Sequence, residues 1–268
     1  MRIACFLIII SCILFSCNNN DTSSHEEGAA KNALNSSLQN MQQQLQQFPD
    51  SPGLRLQYAF TLDSVEKYKE ALAQMDMLIK NDSANYGLLY AQGQIAEDAQ
   101  DTLLALKSYS AAARVYESPD VLLALANLYA EMKNDRALLF CSRVKSLGLG
   151  REYDAHCAFI TGIYFARLHK TEEAVKYFDE CIANNYTYME AYIEKGLAYF
   201  DTRQYDKALE VFQFASTVNK LYADAYYYQA RCYEMINKKD SAVLLFKQSL
   251  QLDPSLHEAS EHLKKLEN

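Results

Sequence analysis

The chain repeats itself at an interval of 34 residues, and that recurrence narrows the folds open to it. Tyr192, Gly196, Tyr199, Ala208 and Phe212 are followed, each 34 positions later, by Tyr226, Ala230, Tyr233, Ala242 and Phe246. The offset runs backwards to Gly162, Ala174 and Phe178, and it reappears upstream, where Ala59, Ala71 and Met75 precede Gly93, Ala105 and Tyr109. A repeat of this length is one supersecondary unit that cannot bury its apolar side alone and stacks on copies of itself. Within Tyr192–Phe200, rings and small residues recur at the spacing of an amphipathic helix, and Ala208, Phe212 and Ala215 do the same on a second. Small residues at Gly196 and Ala208 let the two backbones approach, and Phe212 fills the gap they leave. The polar "DTRQYDK" between the helices is short, which makes them antiparallel neighbours. The register slips once. Ala105 to Ala137 is 32 residues and Ala137 to Ala174 is 37, which predicts one shortened and one lengthened loop.

This order of ring, small residue, tyrosine, alanine and ring resembles the tetratricopeptide repeat. Lys195 and Gln229 depart from it, standing where the family has Leu, and the chain has no Trp. The resemblance implies an all-α fold, a right-handed superhelical solenoid of about six helix–turn–helix units with N- and C-terminal capping helices. The units are expected near Pro52–Asn85, Tyr86–Pro119, Asp120–Tyr153, Asp154–Tyr188, Met189–Tyr222 and Ala223–Leu256, an array over 52–256. Pro119 and Pro254 are expected where second helices stop. The glycines of "SLGLGREYD", Ser146–Asp154, mark either a bend between the third and fourth units or a longer loop.

Ahead of the array, Arg2 precedes the apolar run Ile3–Leu14, too short to span a bilayer comfortably, so the segment reads as a secretory signal. Leu14–Phe15–Ser16–Cys17 resembles a bacterial lipoprotein processing box, which implies removal of residues 1–16 and lipidation of Cys17. A rival cysteine, Cys12, leaves Ile13–Phe15 as an apolar start; an ordinary cleaved signal is the other alternative. Asn18 does not match the inner-membrane retention pattern, so the expected place is the bacterial cell envelope, at the outer membrane facing the periplasm. Residues 17–29 are expected to form a flexible tether. Residues 30–48 form a capping helix with an apolar face of Leu34, Leu38, Met41, Leu45 and Phe48, or else a dimer seam, and 257–268 form the second cap.

Charge and motifs limit the function. The net charge is -8, and loss of Arg2 with the signal leaves 34 acidic against 25 basic residues, or -9, which argues against nucleic acid as a partner. There is no P-loop, GxSxG, HExxH or CxxC, so neither enzyme, metal nor cofactor is expected. Cys141, Cys157, Cys181 and Cys232 read as small buried hydrophobes, with a Cys157–Cys181 bridge the alternative in an oxidising compartment. His156 and Cys157 are neighbours on a helix and point about 100° apart. His257 and His262 are five apart, which misses a shared face.

What is left is a surface. In the family this chain resembles, first helices line the concave groove where peptides dock. The candidate partner-binding residues there are Phe159, Ile163, Ile193, Leu197, Phe200, Tyr227 and Arg231, covered either by neighbouring repeats or by a partner. Asp63, Glu97, Asp98, Glu131, Asp201 and Glu234 fall near the ends of first helices, with Arg167 the exception. The helix dipole opposes carboxylates there, so helix stability gives no reason for them. They are expected to be solvated charges or an acidic rim for a basic segment, with Asp98, Glu131 and Asp201 in the binding set. The expected function is a membrane-anchored scaffold or adaptor for a protein or peptide partner; the alternative is a homo-oligomeric component of an envelope assembly.

Overall fold

The computed structural model describes residues 23–267, and the chain divides into two compact units, Met1–Glu117 and Ser118–Asn268. In the first unit α1 (Ser23–Gln47) precedes two helix pairs, α2 (Pro52–Ser64) with α3 (Tyr68–Asn81) and α4 (Tyr86–Asp98) with α5 (Thr102–Val115). The second unit holds α6 (Pro119–Glu131) with α7 (Arg136–Ser146), α8 (Arg151–Arg167) with α9 (Thr171–Asn184), α10 (Met189–Asp201) with α11 (Tyr205–Val218), and α12 (Ala223–Met235) with α13 (Lys239–Leu252). Helix α14 (His257–Glu267) closes it. No strand occurs among the described residues, and the fold is an all-α helical repeat. Within each unit every first helix packs on its second, and that second helix packs on the next first.

The recurring positions form the core. Ala71 and Ala105 in the first unit, and Ala137, Ala174, Ala208 and Ala242 in the second, have no exposed surface. Four positions on, Met75, Tyr109, Cys141, Phe178, Phe212 and Phe246 fill the space between paired helices, none more than 3% exposed. The glycines facing these rings have a steric reason. A methyl group on Gly162 would lie 2.6 Å from the Phe178 ring, and one on Gly196 would overlap the Phe212 ring. In α1, Leu38 is buried, and Met41 and Leu45 pack on the core of the first pair.

The turn inside each pair is built one way throughout. Its closing residue, Glu66, Gln100, Lys133, His169, Arg203 or Asn237, takes a left-handed conformation with φ between 57° and 62°. At α10 the Arg203 amide donates to the Phe200 carbonyl and the Gln204 amide to the Tyr199 carbonyl, both at 2.9 Å, which satisfies the last carbonyls of the helix. Four of these six residues, Glu66, Gln100, Lys133 and Arg203, lack the usual aptitude for that conformation, which costs an L residue roughly 1–2 kcal/mol. Arg203→Gly is therefore expected to raise the stability of the second unit by about 0.5–1 kcal/mol, part of the relief being lost to the freer unfolded chain. Urea unfolding checks this; a loss of stability would mean that the Arg203 side chain does more than occupy the turn.

Several expectations need correction. The register slip is taken up only in part by loops: the link Tyr116–Ser118 has three residues where the other links from a second helix to the next first helix have four, and no such link is lengthened. Helix α7 is cut to 11 residues where the other second helices have 14, and α8 is extended to 17 where the other first helices have 13. Glu152 and Asp154 favour that extension, since they sit in the first turn of α8 where the dipole stabilises acids. Gly148 and Gly150, with φ of 63° and 98°, serve the four-residue link Leu147–Gly150, and α8 packs on both α6 and α7. The boundary between compact units lies instead at Glu117–Ser118. Pro119 opens α6 rather than ending α5: the Ser118 hydroxyl caps the helix by accepting from the Val121 amide at 3.1 Å, and Pro at the first helical position loses no bond. Of the tether expected over 17–29, the part from Ser23 is helical. Phe48 lies beyond the end of α1 and is 61% exposed. Met1–Cys17, including the proposed lipidation cysteine Cys17, lies outside the described residues.

Candidate functional site

The first-helix residues singled out from the sequence separate by burial. Ile163 is 1% exposed, and Ile193 and Tyr227 are 8% exposed. They are packing residues: Ile193 lies in a cluster with Ala208, Phe212 and Cys232, and Tyr227 in one with Ala230, Phe246 and Ala259. Adjacent repeats cover them, because in a stacked array each first helix is wedged between two second helices. Phe159, Leu197, Phe200 and Arg231 are only half-buried and remain available at the surface of the second unit. Phe159 contacts the Phe178 and Tyr188 rings, at 5.9 and 4.9 Å. The Arg231 guanidinium stands 5.7 Å from the Phe200 ring centre and 5.9 Å from that of Tyr227, and its Nη1 donates to the Tyr227 hydroxyl at 3.0 Å. Cation and rings thus form one patch across α10 and α12.

The carboxylates divide too. In the second unit Arg167 lies between two of them. Its Nε and Nη2 donate to the two Glu131 oxygens at 2.8 and 3.0 Å, and its Nη1 donates to Glu194 at 3.2 Å. Glu131 is therefore already paired, and the helix-end residue that broke the acidic pattern is the one that neutralises it. Glu194, which no local pattern singles out because its partner is 27 residues away, has its carboxyl pushed up by burial against the opposing pull of Arg167. Glu234 meets His262 at 2.9 Å and Arg231 at 3.3 Å. Asp201 is exposed.

In the first unit Glu97 accepts from the Tyr109 hydroxyl, and burial raises its pKa. Asp98 is exposed, yet it acts on Asp63, whose carboxyl is pushed up to about 6 by burial first and then by the Asp98 charge and hydrogen bond. The acidic rim is thus largely engaged within each unit.

The remaining polar and sulfur groups are held internally. His156 is hydrogen-bonded to the Tyr188 hydroxyl at 3.1 Å, and burial lowers its pKa. His262 stacks on Phe246 with ring centres 5.5 Å apart. Cys141, Cys157, Cys181 and Cys232 are free thiols and buried. Cys157 Sγ donates to the Cys141 carbonyl at 3.5 Å, so it lies against α7.

The profile of the tetratricopeptide-repeat family matches residues 159–215 and, again, 193–257. Over residues 159–257 the chain is thus similar to tetratricopeptide repeats. Solved structures extend the likeness of fold. A tetratricopeptide repeat protein from Parabacteroides merdae is similar over 92% of this chain and 97% of its own, with 17% identity and a TM-score of 0.72. The type IV pilus biogenesis factor PilW covers 82% of this chain and 99% of its own, at 15% identity and a TM-score of 0.63. Yeast Tom70 covers 89% of this chain and 59% of its own, at 17% identity and a TM-score of 0.56. No curated protein sequence matches.

The two departures from the repeat pattern are absorbed by neighbours. Lys195 pairs with Asp179 at 2.6 Å. The buried Gln229 amide donates to the Phe212 carbonyl at 3.1 Å and to the Ser216 hydroxyl at 3.0 Å. Polar side chains at this position are tolerated because the adjoining second helix supplies partners.

Repeat one carries a pH-sensitive group. Because Asp63 has a folded pKa of about 6 against an ordinary 3.8, the folded state holds the extra proton. Its contribution is fully present below the unfolded value and lost as pH rises through about 6. Asp63→Asn keeps a donor for Asp98 without the charge. It is expected to add about 1 kcal/mol at neutral pH, after discounting for solvent screening, and to give no gain near pH 4. Urea midpoints at the two pH values check this; a gain that is equal at both would point away from titration of Asp63.

Proposed function

We propose that this chain is a lipid-anchored scaffold of the bacterial cell envelope, held through Cys17, that binds a protein or peptide partner on the first-helix face of its second unit. The observation that carries the binding reading is the patch left uncovered there: Phe159, Leu197 and Phe200, half-buried, with Arg231 laid over Phe200. Aromatic and Arg side chains are the types enriched at the energetic centres of protein interfaces. Asp201, exposed beside Phe200, adds a charge that favours a basic residue in the partner. Anchoring is supported by the sequence alone, the apolar run ending at Cys17 and the polar stretch after it. With more than one acyl chain, at about 0.8 kcal/mol per buried methylene, such an anchor holds firmly. Catalysis has no place in this reading.

A photo-crosslinking residue at Leu197 in the native envelope, followed by mass spectrometry, is expected to capture a specific partner, and Phe200→Asp is expected to abolish the capture. Products made only of this chain would favour the homo-oligomeric assembly instead. The Cys17→Ala chain is expected to move from the membrane to the soluble fraction, and an unchanged distribution would end the anchoring half.

A further inference from the structure

Two of the four described cysteines belong together in a way that the repeat pattern does not explain. Cys141 sits in the column that elsewhere holds Phe, Tyr or Met, so α7 contributes a small side chain where its counterparts fill space. Cys157 lies on the first full turns of α8, and its sulfur is 3.5 Å from the Cys141 carbonyl oxygen. Both are shielded, 3% and 0% exposed. Cys181 and Cys232 stand apart, each held in the protonated form by burial that pushes its pKa up to about 12. The helices that carry the pair are the two of irregular length, α7 shortened and α8 lengthened, joined by only the link Leu147–Gly150.

We propose that Cys141 and Cys157 are a disulfide site, closed when the chain folds in an oxidising compartment, that ties α7 to α8 across this junction. Cys157, whose sulfur lies against the Cys141 backbone, is the first nucleophile. As the thiolate it attacks one sulfur of an oxidising disulfide, such as oxidised glutathione or a dithiol oxidase, and expels the other as a thiolate. The Cys141 thiolate then attacks the Cys157 sulfur of the mixed disulfide and releases the second thiol. The two electrons pass to the oxidant's disulfide, and the two thiol protons end on its sulfurs. Because both groups are buried, the exchange belongs to folding or to a local opening of α7, whose N-cap residue, Asp135, makes no side-chain capping bond.

The test does not depend on the partner-binding reading. The full chain is reduced and unfolded, refolded in a mixture of reduced and oxidised glutathione, alkylated and digested with trypsin. Each described cysteine then falls in its own peptide: Ala137–Arg143, Glu152–Arg167, Tyr177–Lys195 and Cys232–Lys238. The expected result is a linked pair of the first two peptides, with their alkylated forms depleted about tenfold and restored by reduction, while those of Cys181 and Cys232 are unchanged. Cys181→Ser is expected to leave the link intact, and Cys141→Ser to abolish it. Linkage of Cys157 to Cys181, pairing without preference, or full alkylation of all four after refolding would each overturn the proposal. If the folded oxidised chain carries the link, its urea midpoint exceeds that of the same sample after reduction, and equal midpoints would show that the bond ties nothing.

Discussion

Phe212→Ala is expected to destabilise the second unit by about 3–5 kcal/mol, a large part of what holds a domain of this size together. The ring has no exposed surface, lies in one cluster with Ile193, Ala208 and Cys232, and stacks on Tyr228 with ring centres 5.2 Å apart. Three helices therefore converge on it. The gap left by Ala is not easily closed, because the facing residue is Gly196, which has no side chain to move in. Phe214, two positions on, gives the internal control: it is 57% exposed, and its replacement by Ala is expected to cost under about 1 kcal/mol. Urea unfolding followed by circular dichroism measures both. Stacked repeats lose cooperativity readily, so the damaged region is expected to unfold in an earlier, separate step. Equal losses from Phe212→Ala and Phe214→Ala would contradict the account of the core.

The second large effect is at Arg167. Its side chain is 19% exposed, against 32% for Glu131 and 13% for Glu194. Arg167→Ala leaves two carboxylates facing each other across a shielded space, and a loss of about 3 kcal/mol at neutral pH is expected, near the low end for a broken buried pair because Glu131 still reaches solvent. The loss depends on pH in a defined direction. Burial already raises the Glu194 pKa while Arg167 lowers it, so removing the guanidinium raises it further. A carboxyl raised in the folded state contributes stability below its unfolded value that is lost as pH rises through the folded one. The variant's deficit should therefore shrink from pH 7 towards pH 5. A deficit of the same size at both would show that Arg167 acts through packing of its stem rather than through charge.

The binding patch is the part of this molecule where residue type and residue role separate most clearly. Ile193 and Leu197 are both apolar and one turn apart on α10, yet the first is buried between helices and the second is half-open. Tyr227 and Arg231 stand one turn apart on α12 with the same division. The hydrophobic period assigns all four to one helix side; it does not say where a neighbouring helix ends its cover. The carboxylates teach the same lesson through charge. Glu131 and Asp201 occupy equivalent ends of α6 and α10, but only Glu131 has a guanidinium within reach, and that arginine sits 36 residues along the chain.

The helices, their pairing and the core columns are legible in the residues alone, because these follow from local period and from one unit repeated at a fixed offset. Ala208, Phe212 and Gly196 declare their roles through spacing alone, and so do the buried alanines of the other repeats. The packed fold selects what spacing leaves open. It put most of the register slip into the lengths of α7 and α8, brought Cys157 to Cys141, and closed Glu131 and Glu194 on Arg167. The cysteine contact and the closing of Glu131 and Glu194 on Arg167 depend on contacts between residues far apart in the chain. There the energy of burial, and not a local preference, selects among arrangements that the linear pattern allows equally.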